Sequence, residues 1–269
     1  MRQSLEAATP SPSSSAPHRG PPPPPADDWA LFLDVDGCLL PFAERPDAVS
    51  VPPPLLARLS ALRASLGGAL ALVSGRSLAT LDHLFAPEWF TAAGLHGVER
   101  RCADGATHGA PSPAALAAIR DEAVVVARSY PGAVIEDKGA ALGLHWRAAP
   151  QAEIALRGFA EAMLPRLPGY QLQPGDHVVE LRPEHADKGS AILAFLEEPP
   201  FAGRRPVFAG DDLTDETGFA AVNARGGISV LVGDRTASAA QFALADPAQV
   251  HRWLGVPAPL PALPTEISR

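Results

Sequence analysis

The sequence predicts an α/β protein with a Rossmann-like parallel-sheet core and an inserted α/β cap domain, an antiparallel sheet backed by two helices. Two observations support this prediction. Short apolar segments alternate with helical segments in the first and last thirds of the chain, and the alternation is suspended between about 105 and 183. Continuous apolar strands separated by helices are typical of a parallel sheet covered on both faces.

The alternating segments supply the strands and helices of the predicted core. Apolar runs predict strands at 30–34, 69–74, 90–96, 206–212 and 227–233. Helices are predicted over 77–85, 188–197, 215–223 and 247–254, and a further helix begins near Pro53. That helix has proline in its first turn and glycine after its end, which is the usual order. Parallel sheets of this kind place their functional sites at the carboxyl ends of the strands.

The middle of the chain contains one pattern twice, a helix followed by two alternating segments. The predicted helices cover 113–129 and 151–165. Each precedes a predicted hairpin, the first around Lys138-Gly139 and the second around Pro174-Gly175. We therefore assign 105–183 to the cap, and 29–104 together with 184–256 to the core.

The two ends of the chain differ in composition from the rest. Residues 1–28 are rich in proline and serine and carry little apolar surface to bury, and residues 257–269 are similar. Such segments cannot offset the entropy lost on folding. We expect a disordered leader at 1–28 and a disordered tail at 257–269.

The overall composition limits the classes of partner. The net charge of −8 and the pI near 5.5 disfavour general binding to nucleic acids or anionic membranes. No apolar run approaches the roughly 18 residues of a membrane span. The two cysteines, Cys38 and Cys102, provide no disulfide framework and fit a reducing compartment. We expect a cytoplasmic protein with a small-molecule substrate, and a monomer is compatible with the sequence.

Two acidic clusters follow apolar strands. Asp34 ends the first strand, and Asp36 lies just beyond it in a loop that Gly37 makes flexible. Two carboxylates about 4 Å apart repel by roughly 4 kcal/mol at an effective dielectric constant near 20, and a divalent cation removes that repulsion. A second cluster, Asp211 and Asp212 with Asp215, follows a later strand. Either cluster alone could be a turn or a helix cap, but together they predict a site for Mg²⁺.

Two further elements fit an anionic ligand. Ser74 ends a strand, and Gly75 leaves the backbone open to an anion. Lys188 stands at the start of a helix, where the helix dipole disfavours a cation unless an anion lies beside it. Without the other elements, Lys188 would be interpreted as a solvated surface lysine.

The ordered set of motifs resembles a known superfamily. Asp34-Val35-Asp36-Gly37, Ser74, Lys188 and Gly210-Asp211-Asp212 are similar to the four motifs of haloacid-dehalogenase-like phosphatases. The segments "IEDKGAALGLHWR" and "VVELRPEHADKG", with "GLHG" and "GDDLTDE", resemble those of trehalose-6-phosphate phosphatases. The resemblance extends over nearly all of residues 28–255. It implies hydrolysis of trehalose 6-phosphate to trehalose and phosphate, the last step of trehalose biosynthesis.

The resemblance also implies roles for the core residues. Asp34 would be the nucleophile that forms an aspartyl-phosphate, and Asp36 would be the general acid and base. Mg²⁺ would be held by Asp34, the backbone carbonyl of Asp36 and Asp211. In support, Asp212 and Asp215 would orient either metal-bound waters or Lys188. The phosphoryl group would be held by Ser74, Gly75, Arg76 and Lys188, although Arg76 could instead pair with an acid.

The cap is expected to bind the sugar. Residues two apart in a strand share a face, so Glu136 and Lys138 project together, as do Glu180 and Arg182. The resemblance favours Glu136, Lys138 and Glu180 as sugar contacts, and the alternative is a ladder of exposed salt bridges. His96 is either a core residue or a contact with the cap. Cys38 is expected to be a buried packing residue, because no activating histidine is evident in the sequence near it.

Three other functions remain open at this point. The chain could act on another sugar phosphate, such as sucrose 6-phosphate. It could be a non-catalytic sugar-phosphate sensor, although all the motif carboxylates and the lysine are present. It could also transfer the phosphoryl group to a second sugar hydroxyl, as phosphomutases do.

Overall fold

The computed structural model describes residues 19–41, 49–109 and 112–257. Its strands are β1 (Trp29–Leu33), β2 (Leu70–Val73), β3 (Thr91–Gly94), β4 (Glu99–Arg101), β5 (Thr107–Gly109), β6 (Val134–Asp137), β7 (Leu142–His145), β8 (Tyr170–Gly175), β9 (Val178–Pro183), β10 (Arg205–Gly210), β11 (Ile228–Val232) and β12 (Phe242–Leu244). Its α-helices are α1 (Pro53–Ser65), α2 (Leu78–Phe85), α3 (Ala114–Ala127), α4 (Glu153–Met163), α5 (Lys188–Leu196), α6 (Glu216–Ala224) and α7 (Pro247–Leu254).

The large sheet has eight strands in the order β12-β11-β10-β1-β2-β3-β4-β5. The six strands from β12 to β3 are parallel, and β4 and β5 extend one edge in antiparallel fashion. Every residue of β1, β2 and β11 is buried, as expected for a sheet with covered faces. The predicted fold class, a parallel core with an inserted cap, is confirmed. Among the described helices, none combines the length and apolar character needed to cross a bilayer.

The boundary predicted between core and cap differs from the observed pairing. We expected 105–183 to form the cap, but β5 pairs with β4 and so belongs to the large sheet. The turn between them is closed by Asp104, whose carboxylate accepts a hydrogen bond of 2.9 Å from the N–H of Ala106. Strands of three residues are too short to show a period-two pattern in the sequence, which is why this hairpin was not predicted.

The cap is a four-stranded antiparallel sheet in the order β6-β7-β9-β8. Leu142, Leu144, Val179 and Leu181 point to one face, where they pack with residues of α3 and α4 in a separate hydrophobic cluster. Because side chains alternate along a strand, Glu180 and its neighbour Arg182 point to the opposite face. The sheet therefore has one apolar face covered by helices and one face with charged side chains.

The second cap hairpin turns two residues later than predicted. Pro174 and Gly175 lie within β8, and Gly175 pairs with Val178 of β9. The turn residues are therefore Asp176 and His177, and His177 adopts a left-handed conformation with φ of 59°. The Pro-Gly pair suggested a turn because proline and glycine favour one, but the edge position of β8 also tolerates proline.

Part of the predicted disordered leader is ordered. Residues 1–18 and the tail 258–269 lie outside the described residues, but 19–28 pack against the core. The guanidinium of Arg19 donates to four backbone carbonyls between Arg235 and Ala240, at 2.8 to 3.3 Å. The indole N–H of Trp253 donates to the carbonyl of Pro23 at 2.7 Å. A proline run has few N–H donors of its own, so its carbonyls are free to accept from side chains.

Candidate active site

The two predicted acidic clusters meet at one edge of the large sheet. Strands β1 and β10 are parallel neighbours, with Leu33 opposite Ala209, so the residues after them lie side by side. The N–H of Asp34 donates to the carbonyl of Ala209 at 2.9 Å. One carboxylate oxygen from each of Asp34, Asp211 and Asp215 lies within 4.8 Å of the other two. The convergence that the sequence predicted is present in the structure.

Burial and mutual repulsion make these carboxylates hard to ionise together. Burial, opposed by Lys188 and reinforced by the neighbouring acids, raises the pKa of both Asp34 and Asp215 to about 8. Burial and the same acids raise the pKa of Asp211 to about 7. The Oδ1 atom of Asp211 is enclosed and has no hydrogen-bond partner among the residues that the structure describes. A divalent cation with oxygen ligands would satisfy that atom and relieve the repulsion, so the residues present fit Mg²⁺.

Lys188 is the cation of this site. Its ammonium nitrogen lies 2.9 Å from Oδ1 of Asp34 and 2.6 Å from Oδ1 of Asp215, and the residue is 2% exposed. Although burial opposes it, the nearby aspartates raise the pKa of Lys188 well above its usual value. The first turn of α5 is stabilised by Asp187, whose side chain accepts from the N–H of Ser190 at 2.7 Å. The interpretation of Lys188 as a solvated surface residue is therefore wrong.

Asp215 also shapes the loop after β10. Its Oδ2 accepts from the N–H groups of Asp211 at 2.8 Å and Asp212 at 3.0 Å. A Cβ on Gly210 would lie 2.3 Å from the carboxyl carbon of Asp215, so only glycine fits at this position. Asp212 accepts from the N–H and the hydroxyl of Thr214, at 2.9 and 2.6 Å, and so caps the following turn. The sequence predicted that Asp212 and Asp215 lie at this site. It did not show that Asp215 binds the backbone of the loop while Asp212 caps the following turn.

Asp36 is held apart from the carboxylate cluster. Gly37 has φ of 80°, a left-handed conformation that glycine adopts readily, and turns the chain after Asp36. Arg76 donates from Nε to Oδ2 of Asp36 and from Nη2 to Oδ1, both at 2.7 Å. The Asp36 side chain is thus directed to Arg76, which leaves its backbone carbonyl as the group that could meet a metal. The open alternative that Arg76 pairs with an acid is confirmed.

Ser74 and Gly75 form a tight loop beside these residues. Ser74 is 1% exposed, and its hydroxyl oxygen accepts from the N–H of Arg76 at 3.1 Å. The carbonyl of Ser74 accepts from the N–H of His96 at 2.9 Å. A Cβ on Gly75 would lie 2.7 Å from Nε2 of His96, so the absence of a side chain lets the imidazole approach the loop.

His96 connects this loop to the cap. Its Nε2 lies 4.0 Å from Oε2 of Glu180 on β9, so of the two expectations for His96 the contact with the cap is the one observed. Its backbone is left-handed, with φ of 57°. Burial, together with the cations of Lys188, Arg182 and Lys138, lowers the pKa of His96 well below its usual value. The Nδ1 atom of His96 is enclosed and makes no hydrogen bond to any described residue.

Three cap residues predicted to bind sugar form one cluster. The ammonium nitrogen of Lys138 lies 2.5 Å from Oε1 of Glu180 and 3.4 Å from Oε2 of Glu136. In the sheet register Gly143 of β7 lies between Glu136 and Glu180. Because glycine has no side chain, the side chains of the neighbouring strands can meet across β7. His145 also reaches Glu136, at 2.9 Å.

The charged face of the cap is turned towards the core. Glu180 is 8% exposed although it points away from the cap helices, and its contact with His96 shows that the core covers it. A cavity of about 250 Å³ lies between core and cap, bordered by Leu95, Val98, Glu99, Lys138 and Gly139 among others. The alternative interpretation, a ladder of salt bridges on a solvent-exposed sheet face, is therefore wrong for Glu180 and Lys138.

Arg182 is a buried residue of the charged face, and the sequence did not reveal its burial. It shares this face with Glu180 and is only 3% exposed. Its Nε atom is enclosed and has no hydrogen-bond partner within the described part of the chain. The i, i+2 spacing from Glu180 placed Arg182 on the correct face, but nothing in the sequence showed that it would be buried.

The cysteines lie outside the chemistry described so far. Cys38 is fully buried, and burial next to Asp34 and Asp211 raises its pKa well above the usual value, as expected of a packing residue. Cys102 lies near His108 and Glu198, a grouping that the sequence did not indicate. Arg100 pairs with Glu198 at 2.8 Å, and burial with the Glu198 hydrogen bond raises the pKa of Cys102 to about 11.

Known proteins with the same motifs are similar over most of the chain. The sequence profile of the trehalose-phosphatase family matches residues 32–248. A probable trehalose-phosphate phosphatase of Sinorhizobium fredii is 51% identical over 208 residues, covering 77% of this chain and 78% of that protein. The trehalose-6-phosphate phosphatase of Escherichia coli is 48% identical over 229 residues, covering 84% and 85%.

The fold is also found among solved structures. The C-terminal domain of a Candida albicans trehalose-6-phosphate phosphatase superposes with a TM-score of 0.72 and covers 84% of this chain and 90% of that one. At 21% identity, this likeness concerns the fold alone.

Proposed function

Because the chain belongs to the trehalose-phosphatase family, we propose that it hydrolyses trehalose 6-phosphate to trehalose and phosphate. One observation carries the proposal: Asp34, Lys188 and the acidic loop after β10 lie together in the core, and His96 of the core contacts Glu180 on the charged face of the cap. This arrangement supports a phosphoryl-transfer site in the core with sugar-binding side chains supplied by the cap. The proposal places the enzyme in the cytoplasm, with this small molecule as its partner.

In the first step Asp34 acts as the nucleophile. A carboxylate oxygen of Asp34 forms a bond to phosphorus as the bond from phosphorus to the sugar oxygen breaks. Lys188, 2.9 Å from Oδ1 of Asp34, orients the carboxylate and favours its ionised form, against the effect of burial. Asp36 donates a proton to the departing sugar oxygen, so trehalose leaves as a neutral alcohol.

In the second step water attacks the phosphorus of the aspartyl-phosphate. Asp36, now ionised, accepts a proton from this water, and the bond between phosphorus and Asp34 breaks to regenerate the carboxylate. Arg76 holds Asp36 through two hydrogen bonds and so orients its carboxylate in the ionised state. Asp36 can act in both steps because it loses a proton in the first step and regains one in the second.

The phosphoryl oxygens are bound by the loop after β2 and by α5. The hydroxyl oxygen of Ser74 accepts from the N–H of Arg76, which leaves the hydroxyl proton for a phosphoryl oxygen. Gly75, without a side chain, lets the backbone approach the anion. Lys188 is the fixed cation at the same place.

The carboxylate cluster is the proposed site for Mg²⁺. Asp34, Asp211 and the backbone carbonyl of Asp36 would hold it, and Asp212 and Asp215 would support the loop. When bound, Mg²⁺ supplies positive charge that shields the nucleophile from the phosphate and stabilises charge on the phosphoryl oxygens.

The cap supplies specificity and excludes water. Glu136 and Glu180 offer acceptors and Lys138 offers donors, and sugar hydroxyls need both. Closure of this face over the core separates the aspartyl-phosphate from bulk solvent.

A panel of sugar phosphates tests the proposal. Phosphate release from trehalose 6-phosphate should exceed release from sucrose 6-phosphate and glucose 6-phosphate by at least about tenfold in kcat/KM, because only one substrate fills the cap. Faster release from sucrose 6-phosphate would assign another substrate. Binding without release would indicate a sensor, and an isomerised sugar phosphate in place of free phosphate would indicate a mutase.

A further inference from the structure

Arg182 is a buried cation that has no hydrogen-bond or ion-pair partner among the described residues. It lies on β9, on the face of the cap sheet that meets the core, and is 3% exposed. Its guanidinium makes no hydrogen bond or ion pair with any residue in the described part of the chain, and Nε is fully enclosed. Buried arginines are normally paired, because removing a charge from water without compensation is unfavourable.

The neighbouring carboxylates are already engaged. Glu180, two residues earlier on the same face, binds Lys138 at 2.5 Å. Asp187, at the start of α5, accepts from the N–H of Ser190 at 2.7 Å. Both act on Arg182 electrostatically, but neither hydrogen-bonds to it. The guanidinium thus has five N–H donors and no acceptor in the described structure.

Arg182 lies close to residues of both the cap and the core. Its charge acts on His96, whose imidazole lies against Gly75 and 4.0 Å from Glu180. Arg182 therefore stands at the junction of cap and core, on the sheet face proposed to contact sugar. The phosphoryl-binding groups Ser74 and Lys188, in contrast, belong to the core.

We propose that Arg182 binds the sugar part of the substrate, donating guanidinium N–H groups to hydroxyl or ring oxygens that complete its hydrogen bonding. The inference rests on the proposed function for the identity of the sugar. A substrate oxygen is the missing acceptor, since the described residues provide none. Arg182 would then favour substrate binding while it lowers the stability of the ligand-free protein. Such a trade-off is common for functional residues.

The inference makes an unusual prediction about stability. Arg182→Met removes the unpaired charge and keeps much of the side-chain volume, so the ligand-free variant should melt about 2 °C or more above the wild type. Arg182→Lys keeps the charge and should show no such gain. A structural arginine would behave in the opposite way, with loss of stability in Arg182→Met. Arg166→Met is the matched control, because Arg166 is an exposed cap arginine paired with Glu122.

Activity on two substrates separates sugar from phosphate recognition. Arg182→Met should lose at least about tenfold in kcat/KM on trehalose 6-phosphate, as expected when a hydrogen bond to a charged donor is removed. It should change less than about threefold on p-nitrophenyl phosphate, which has no sugar. Arg182→Lys should lie between, and Arg166→Met should match the wild type on both. Equal losses on the two substrates would overturn the inference.

Thermal shifts with the product trehalose supply the third readout. Trehalose should raise the Tm of the wild type and of Arg166→Met, and raise that of Arg182→Met much less. If Arg182→Met melts below the wild type without ligand, the inference is wrong whatever the substrate is. If instead the wild type fails to hydrolyse trehalose 6-phosphate, the proposed function fails, while a higher Tm of ligand-free Arg182→Met would still support an unpaired binding arginine.

Discussion

Arg76 binds both carboxylate oxygens of Asp36, from Nε to Oδ2 and from Nη2 to Oδ1, each at 2.7 Å. A bidentate pair of this kind fixes the plane of the carboxylate as well as its position. Asp36 follows Asp34 by two residues, so the pair sets the direction of the proposed acid and base relative to the nucleophile. Arg76, in the loop after β2, thereby positions Asp36, in the loop after β1.

A double-mutant cycle tests whether Arg76 acts through Asp36. Asp36→Asn should lower kcat/KM by about 10²–10⁴-fold, the usual contribution of a general acid and base. Arg76→Met should cause a large part of that loss in the wild-type background and much less in the Asp36→Asn background. Additive losses would mean that Arg76 acts on the phosphoryl group independently of Asp36.

Asp34→Asn should abolish turnover without unfolding the protein. Asparagine has nearly the same shape but is a poor nucleophile, and loss of a nucleophile lowers kcat by roughly 10⁴-fold or more. Phosphate release and the thermal midpoint are the measurements. The matched control is Cys38→Ala at a neighbouring buried position, which should keep activity within a few-fold. Activity in Asp34→Asn close to that of the wild type would remove Asp34 from the nucleophile role.

Glu180→Gln should affect the sugar substrate selectively. Because Glu180 accepts from Lys138 and faces the core, its loss should lower kcat/KM at least tenfold on trehalose 6-phosphate, as is typical for a charged hydrogen bond of about 1.5–3 kcal/mol. Hydrolysis of p-nitrophenyl phosphate should change little. Glu122→Gln, at an exposed position on α3, is the control and should resemble the wild type. Parallel losses on both substrates would return Glu180 to a purely structural role.

His96 should make the protein less stable at mildly acidic pH. Its pKa in the folded state lies well below the usual value, through burial and the cations of Lys188, Arg182 and Lys138, so below about pH 6.5 the unfolded chain binds the proton more readily. Stability is therefore fully present above that pH and falls as the pH decreases, by up to about 1.4 kcal/mol per pH unit.

Comparison of two histidine variants isolates this effect. Between pH 7.5 and 5.5 the raised pKa values of Asp34, Asp211 and Asp215 act in the opposite direction, but they are common to both proteins. The free energy of unfolding of the wild type, measured by urea denaturation, should therefore decrease relative to that of His96→Gln as the pH falls over this range. His83→Gln, on the exposed side of α2, should keep the wild-type slope. The same slope in His96→Gln and the wild type would show that His96 is not held neutral by its surroundings.

Much of the core could be predicted because its signals are local. Three apolar runs end in Asp34, Ser74 and Asp211. Each run indicates a strand, and its last residue indicates a polar side chain at the carboxyl end of that strand. Once the strands are parallel, these residues must meet at one edge of the sheet. The convergence of Asp34 with Asp211 therefore follows from the pattern and a general property of the fold.

The features that could not be predicted depend on contacts between distant residues. No local pattern in the sequence indicates the hydrogen bonds from Arg19 to the backbone of residues 235–240 or the burial of Arg182. β5 is too short to give a periodic signal, and the Pro-Gly pair in β8 gave a local signal for a turn that the edge-strand position overrode. These features bear directly on the site, because the cap and the loops complete it.

The central claim is that the two acidic loops create a metal-dependent site for phosphoryl transfer from one sugar phosphate. Its most direct test is phosphate release from trehalose 6-phosphate with Mg²⁺ present, after its removal with a chelator, and after Mg²⁺ is added back. We expect release with Mg²⁺, a loss of at least about 10³-fold on removal, and recovery on re-addition. Unchanged release in the chelator, or no release from trehalose 6-phosphate with Mg²⁺ present, would contradict the account.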